Sequence, residues 1–213
     1  MERKWTSLMF AAVCLAAGPA LAGIETLPPW SQTGIIGEST HWRWDFPTAA
    51  TASTPTSGTG IGTPQIAPSP DWTWQPTSPT GGQGVMSIVP GGSVVVTVPN
   101  FPRPNEFKLI WIQYHWFGTG AEPATSASAN GVAAAPYGPT ITPSPGVGGG
   151  LVGARGWQFP FNPELETITI HNPDLQNFMY IDWLVIDTIC APSPEGAAVL
   201  AIAGLVAMSR RRR

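Results

Sequence analysis

Two stretches of this chain are apolar on both sides of an extended backbone, and no other feature limits its fold as tightly. Residues 107–117 read Phe-Lys-Leu-Ile-Trp-Ile-Gln-Tyr-His-Trp-Phe. Side chains alternate along a strand, so Ile110, Ile112, Tyr114 and Trp116 share one face while Leu109, Trp111, Gln113, His115 and Phe117 share the other. Residues 178–189 repeat the pattern, with Ile181, Trp183 and Val185 opposite Tyr180, Leu184 and Ile186. A strand of this kind needs cover on both faces and belongs at the centre of a sheet. Three shorter runs, 93–98, 156–161 and 166–171, are also rich in β-branched and aromatic residues. The chain holds 24 Gly and 24 Pro in 213 residues, and both are costly inside helices. An all-β fold follows, an antiparallel β-sandwich of jelly-roll type.

Two segments interrupt the strand pattern. Residues 47–84 contain 7 Pro, 6 Gly, 9 Thr and 4 Ser, and residues 118–155 include the turn pair Asn130-Gly131 and the run Gly148-Gly149-Gly150. Their composition predicts long Pro/Gly/Thr loops that are flexible over most of their length.

The two ends differ from the middle. Arg3 and Lys4 precede an apolar run, and Ala20-Leu21-Ala22 fits the small-x-small pattern of a signal peptidase site, so residues 1–22 read as a signal peptide cut after Ala22. At the other end Pro192-Ser193-Pro194-Glu195 leads into an apolar run, residues 196–208, and then Ser209 and Arg210, Arg211, Arg212 and Arg213. Thirteen helical residues span about 20 Å at 1.5 Å per residue, short of a hydrocarbon core of roughly 30 Å. Such a tail makes a poor permanent anchor. It suits a segment held in the membrane by its arginines while an enzyme cuts upstream.

Residues 192–213 resemble the C-terminal sorting signal of PEP-CTERM proteins, in which a Pro-Glu-Pro-type motif precedes a membrane helix and an Arg-rich end. Here Pro194-Glu195-Gly196 stands where a second proline is usual. The resemblance implies an exported substrate of an exosortase-type sorting enzyme, at the cell envelope, cell surface or extracellular matrix of a Gram-negative-type bacterium, with membrane contact through the tail. The middle, with Trp42-Arg43-Trp44-Asp45-Phe46, Gly156-Trp157-Gln158-Phe159 and Ile186-Asp187-Thr188, is similar to domains of planctomycete-type PEP-CTERM proteins. That similarity implies a secreted β-sandwich and no particular activity.

Between the ends, residues 23–191 form a single exported domain. They carry four basic and eleven acidic residues, a formal charge of -7. An acidic surface with so few cations is unsuited to nucleic acid, which is held by clustered Lys and Arg. Cys190 is the one cysteine left in this segment, so its stability rests on apolar burial rather than a disulfide. Chemistry-bearing patterns are sparse. No serine lies in Gly-x-Ser-x-Gly, and His41, His115 and His171 lack metal-ligand spacing. Glu164 and Glu166, two apart, are a weak acid pair for glycoside hydrolysis. Asp182 and Asp187, five apart, fall on opposite faces of a regular strand and so do not form a calcium site by themselves. No catalytic residue, metal or cofactor is expected, and the chain is read as a non-enzyme.

The sharpest binding candidates are the pairs Trp42-x-Trp44 and Trp72-x-Trp74, each placing two indoles on one face if extended. Exposed indoles stack on sugar rings, which would suit an exopolysaccharide partner. Phe46 continues the face of Trp42 and Trp44 and favours core packing for that pair. A hydrolase of the same polymer is the third alternative.

Overall fold

The two doubly apolar runs lie side by side at the centre of one sheet. The computed structural model describes residues 25–33, 35, 37–78, 83–100, 106–118, 121–139, 141–146 and 149–192. The signal segment, with Ala20 and Ala22, and the tail beyond Pro192, with Pro194, Glu195 and Arg210 to Arg213, lie outside the described residues. So do the helices expected in them. Among the described residues no helix is long and apolar enough to cross a membrane.

A single helical turn, α1 (Pro29–Thr33), is followed by β1 (Glu38–Trp44), a 3-10 turn at Ala49–Thr51, β2 (Ser57–Thr59), β3 (Gln65–Ile66), β4 (Trp72–Thr77), β5 (Gln83–Ile88), β6 (Ser93–Pro99) and β7 (Glu106–Phe117). Then come β8 (Ala124–Ala129), β9 (Val132–Ala133), β10 (Ala135–Pro136), β11 (Ile141–Pro145), β12 (Leu151–Phe159), β13 (Leu165–His171) and β14 (Met179–Pro192). Among the described residues they form two antiparallel sheets. The larger runs β10-β12-β7-β14-β1-β2, with β11 sharing the outer edge of β12 and the β4-β5 hairpin added to the start of β14. The smaller runs β3-β6-β13-β8-β9.

The main core lies between the sheets. From the larger sheet come Ile110, Ile112, Tyr114, Trp116, Leu184 and Ile186, and from the smaller Val94, Val96, Val98, Ile168 and Ile170. In β6 and β13 the other face carries Ser93, Val95, Thr97, Thr167 and Thr169 at half-buried positions while the core-facing residues are fully buried, the in-and-out alternation of a sheet with one solvated side. The outer face of the larger sheet is covered too. Trp30 of α1 packs there on Leu109, Trp111 and Ile189, with Tyr137 stacked on its ring at 6.4 Å. That cover is why β7 is apolar on both faces.

Three expectations need correction. First, the stretches expected as long loops contain strands: β2, β3 and β4 lie in 47–84 and β8 to β11 in 118–155. Pro and Gly are tolerated because most of these strands are short or sit at a sheet edge, where fewer backbone donors are needed. Second, β14 is not a regular strand. Ile181 pairs with Trp116 and Trp183 with His115, so Asp182 is an extra residue in a β-bulge. The bulge reverses the alternation, placing Ile181 with Leu184 and Ile186 in the main core and Trp183 with Val185 on the other side. Third, Asp182 and Asp187 consequently both face away from the main core, where their partners His115 and Gln113 lie. Asp187 meets Gln113, and Asp182 meets His115 two positions along β7, so they still do not converge on one point.

Candidate functional site

The four sequence-derived tryptophans take up two kinds of position. Trp42 and Trp44 alternate inward along β1, and both are buried in the main core, Trp44 completely. Neither ring is available to stack on a sugar, so glycan stacking is withdrawn for this pair. Trp72 and Trp74 of β4 also turn toward the core, half-buried against it. Their indole N–H groups are spent internally, Trp72 Nε1 donating to Ala67 O at 2.9 Å and Trp74 Nε1 to Phe46 O at 2.7 Å. Gly84 makes the second contact reachable. A Cβ there would lie 2.3 Å from Phe46 O, and its φ of +66° suits glycine.

The opposite face of the same β4-β5-β14 corner holds a concave site. Gln75, Thr77, Ser78, Ser87, Phe178 and Tyr180 line an open groove of about 330 Å³. Ser87 pairs with Tyr180 across β5 and β14 and with Thr73 across β4, which puts these side chains on one surface. Phe178 and Tyr180 stack with ring centroids 6.5 Å apart and planes 30° from parallel. Phe178 is 46% exposed. An open aromatic shelf beside amide and hydroxyl groups combines an apolar face with hydrogen-bonding partners. Gly118, at the end of β7, seats the shelf: its φ is +100°, and a Cβ would lie 2.5 Å from Phe178 O and 3.1 Å from the Tyr180 ring. Sequence reasoning missed this pair although the signal was present, since Phe178-x-Tyr180 has the same alternate spacing as the two Trp pairs.

A second polar group occupies the outer face where β1 crosses β14. His41 Nδ1 lies 2.8 Å from Asp187 Oδ1, and Gln113 Nε2 donates to Asp187 Oδ2 at 3.4 Å. Burial pushes the Asp187 carboxyl above the usual aspartate range, and the His41 contact opposes that shift. Arg43 pairs with Glu25 and Asp45 and lies over the Trp183 ring, 5.4 Å from its centre. Thr26 donates to Gln113 Oε1 through its backbone N–H at 2.6 Å and its hydroxyl at 2.9 Å. These contacts tie the beginning of the described chain to the sheet. The other histidines are separately engaged. His115, buried, has Nδ1 3.1 Å from Asp182 Oδ2 and Nε2 2.8 Å from Gly149 O, and His171 Nδ1 lies 3.0 Å from Ser93 Oγ.

The carboxylates proposed as a weak acid pair are not brought together for chemistry on a ligand: Glu164 is exposed, whereas Glu166 is fully buried between the sheets. Among the described residues no group of three or more His, Cys, Asp or Glu side chains is arranged to hold a metal ion. The chain matches no family model, no curated protein and no solved structure.

Proposed function

We propose that this chain is an exported surface or matrix protein of a Gram-negative-type bacterium, processed at both ends and sorted by an exosortase-type enzyme. Its middle segment serves as a non-enzymatic β-sandwich module of jelly-roll type. The observation that carries this proposal is the arrangement of the sequence, with six of the ten Lys and Arg confined to the two ends. Those cations serve membrane topology during export, and the acidic middle is what remains. The last described strand ends at Pro192, where the proposed sorting motif begins, so a cut beyond Pro192 leaves every described strand intact. Intact-mass measurement of protein isolated from its own cells tests the sorting. The expected species starts at Gly23 and lacks Arg210 to Arg213. A mature species that keeps the arginines overturns tail removal.

A second reading is carbohydrate recognition within an exopolysaccharide matrix, favoured by the Phe178–Tyr180 shelf and its polar neighbours. Aromatic faces and nearby hydroxyl and amide groups match the two kinds of surface a sugar ring presents. Glycan-array binding of the wild type, Tyr180→Ala, Phe178→Ala, Trp72→Ala and Trp74→Ala proteins tests it. Binding that is lost in the two shelf variants supports the groove, loss in the tryptophan variants alone moves the site to β4, and no binding to any glycan by the wild type removes this reading.

A further inference from the structure

One end of the main core is closed by a buried set of reactive side chains that neither proposal uses. Lys108 of β7, 1% exposed, and Glu166 of β13, 0% exposed, form an ion pair with Nζ 3.2 Å from Oε1. The same Glu166 oxygen accepts from Asn100 Nδ2 at 3.3 Å. Cys190 of β14 completes the enclosure. Its Sγ lies 3.3 Å from Lys108 Nζ and donates toward Asn100 Oδ1 at 3.5 Å. One carboxyl and one thiol therefore each touch both the amine and the carboxamide. Asn100 Nδ2 also donates to Pro163 O at 3.0 Å and to Asn162 Oδ1, which fixes the orientation of its amide: nitrogen toward Glu166, oxygen toward the thiol.

We propose that this cluster is a self-modification site, at which Lys108 and Asn100 join through a side-chain isopeptide bond with Glu166 as the proton carrier. The neutral ε-amine attacks Cγ of Asn100, forming the new C–N bond. The Cγ–Nδ2 bond breaks, and Nδ2 leaves as ammonia. Glu166 takes a proton from the attacking nitrogen and delivers one to the departing nitrogen, so it returns to its starting state. The Cys190 thiol faces the carbonyl oxygen as charge develops on it. No oxidant, metal or second substrate enters the balance.

Two physical features suit the step. Burial keeps water from competing with the amine for the carboxamide carbon. Burial also pushes the Glu166 carboxyl above its ordinary range, against the opposing pull of Lys108. Its other oxygen, Oε2, has no hydrogen-bond partner among the described residues, which leaves it available to carry the proton. The product would tie the end of β6 in the smaller sheet to β7 in the larger sheet, a covalent strap across one end of a sandwich that has no disulfide.

The test is intact mass and tryptic mapping of the folded full-length protein. The expected mass is below the sequence mass, after any end processing, by one ammonia. Trypsin is expected not to cut after Lys108, and fragmentation is expected to place the link between Lys108 and Asn100. Glu166→Gln, which keeps size and shape, is expected to fold, regain the full mass and restore cutting after Lys108. Ring closure at Asn130-Gly131 also releases ammonia, but it would persist in Glu166→Gln and leave Lys108 cleavable. An unmodified mass with normal cutting at Lys108 in folded wild-type protein overturns the proposal, and a link from Lys108 to Asn162 overturns the choice of Asn100.

Discussion

Two of the ionic networks among the described residues look alike as inventories and differ in what surrounds them. Lys108, Glu166, Asn100 and Cys190 sit between the sheets, at most 8% exposed. Glu25, His41, Arg43, Asp45 and Asp187 sit on the outer face of the larger sheet, with side chains between 11% and 41% exposed. In the first, each charge has lost its water and depends on its partner. In the second, water and salt share the load, so the loss of one member is softened.

Removing one partner from the buried network is expected to have the largest effect. Lys108→Ala leaves Glu166 in the core without its cation and should lower unfolding stability by about 3–5 kcal/mol, read as a fall in the denaturant midpoint. Lys108→Met combined with Glu166→Leu removes both charges and should recover the part of that loss due to an unpaired buried charge, but not the part contributed by the proposed link to Asn100. If the double variant is as unstable as the single one, packing or the lost link, rather than charge burial, governs this end of the core.

Gly118→Ala comes next. Its positive φ and the close Phe178 carbonyl should cost about 1–3 kcal/mol, and the displaced Tyr180 ring should change the near-ultraviolet circular dichroism. On the outer face, Arg43→Ala should cost only about 0.5–1 kcal/mol, and the difference should shrink as salt is raised.

The smallest effect is a pH dependence. Because burial raises the Asp187 pKa in the folded state, the native protein holds that proton more tightly than the unfolded chain. The associated stability is complete below the ordinary aspartate value and is lost as pH rises through the raised value. Asp187→Asn cannot ionise, so its stability relative to wild type should increase from pH 4 to pH 7 in paired denaturant titrations. A flat difference would mean that Asp187 behaves as an exposed carboxylate.

How much was legible in the sequence depended on where a residue draws its structure from. The five runs expected as strands all lie largely within strands, and the two faces of β7 divide as the alternation implies, because a long run of large apolar side chains leaves few places to be buried. The run at 156–161 understated β12, which starts at Leu151 because β7 offers it partners from Trp116 onward. β1 was harder to see. Its Glu-Ser-Thr-His-Trp-Arg-Trp sequence has two apolar residues in seven, Trp42 and Trp44, and it is held along its length by β14. The groove was half legible: Phe178 and Tyr180 have the right spacing, but nothing local says that Gln75, Thr77 and Ser87 lie beside them.

By itself, the sequence determined an all-β chain with two doubly covered central strands, an acidic middle and two ends of a different character. Composition and alternation carry that information because they act over neighbouring residues. The tertiary structure alone decided that Asp182 bulges, that Pro/Gly/Thr-rich segments add edge strands, and that Trp42 and Trp44 are sealed from solvent. It also gathered Asn100, Lys108, Glu166 and Cys190 from separate positions along the chain. The reason is that register and enclosure depend on the partner strand, and the partner is chosen by packing across the whole sandwich rather than by any local run of residues.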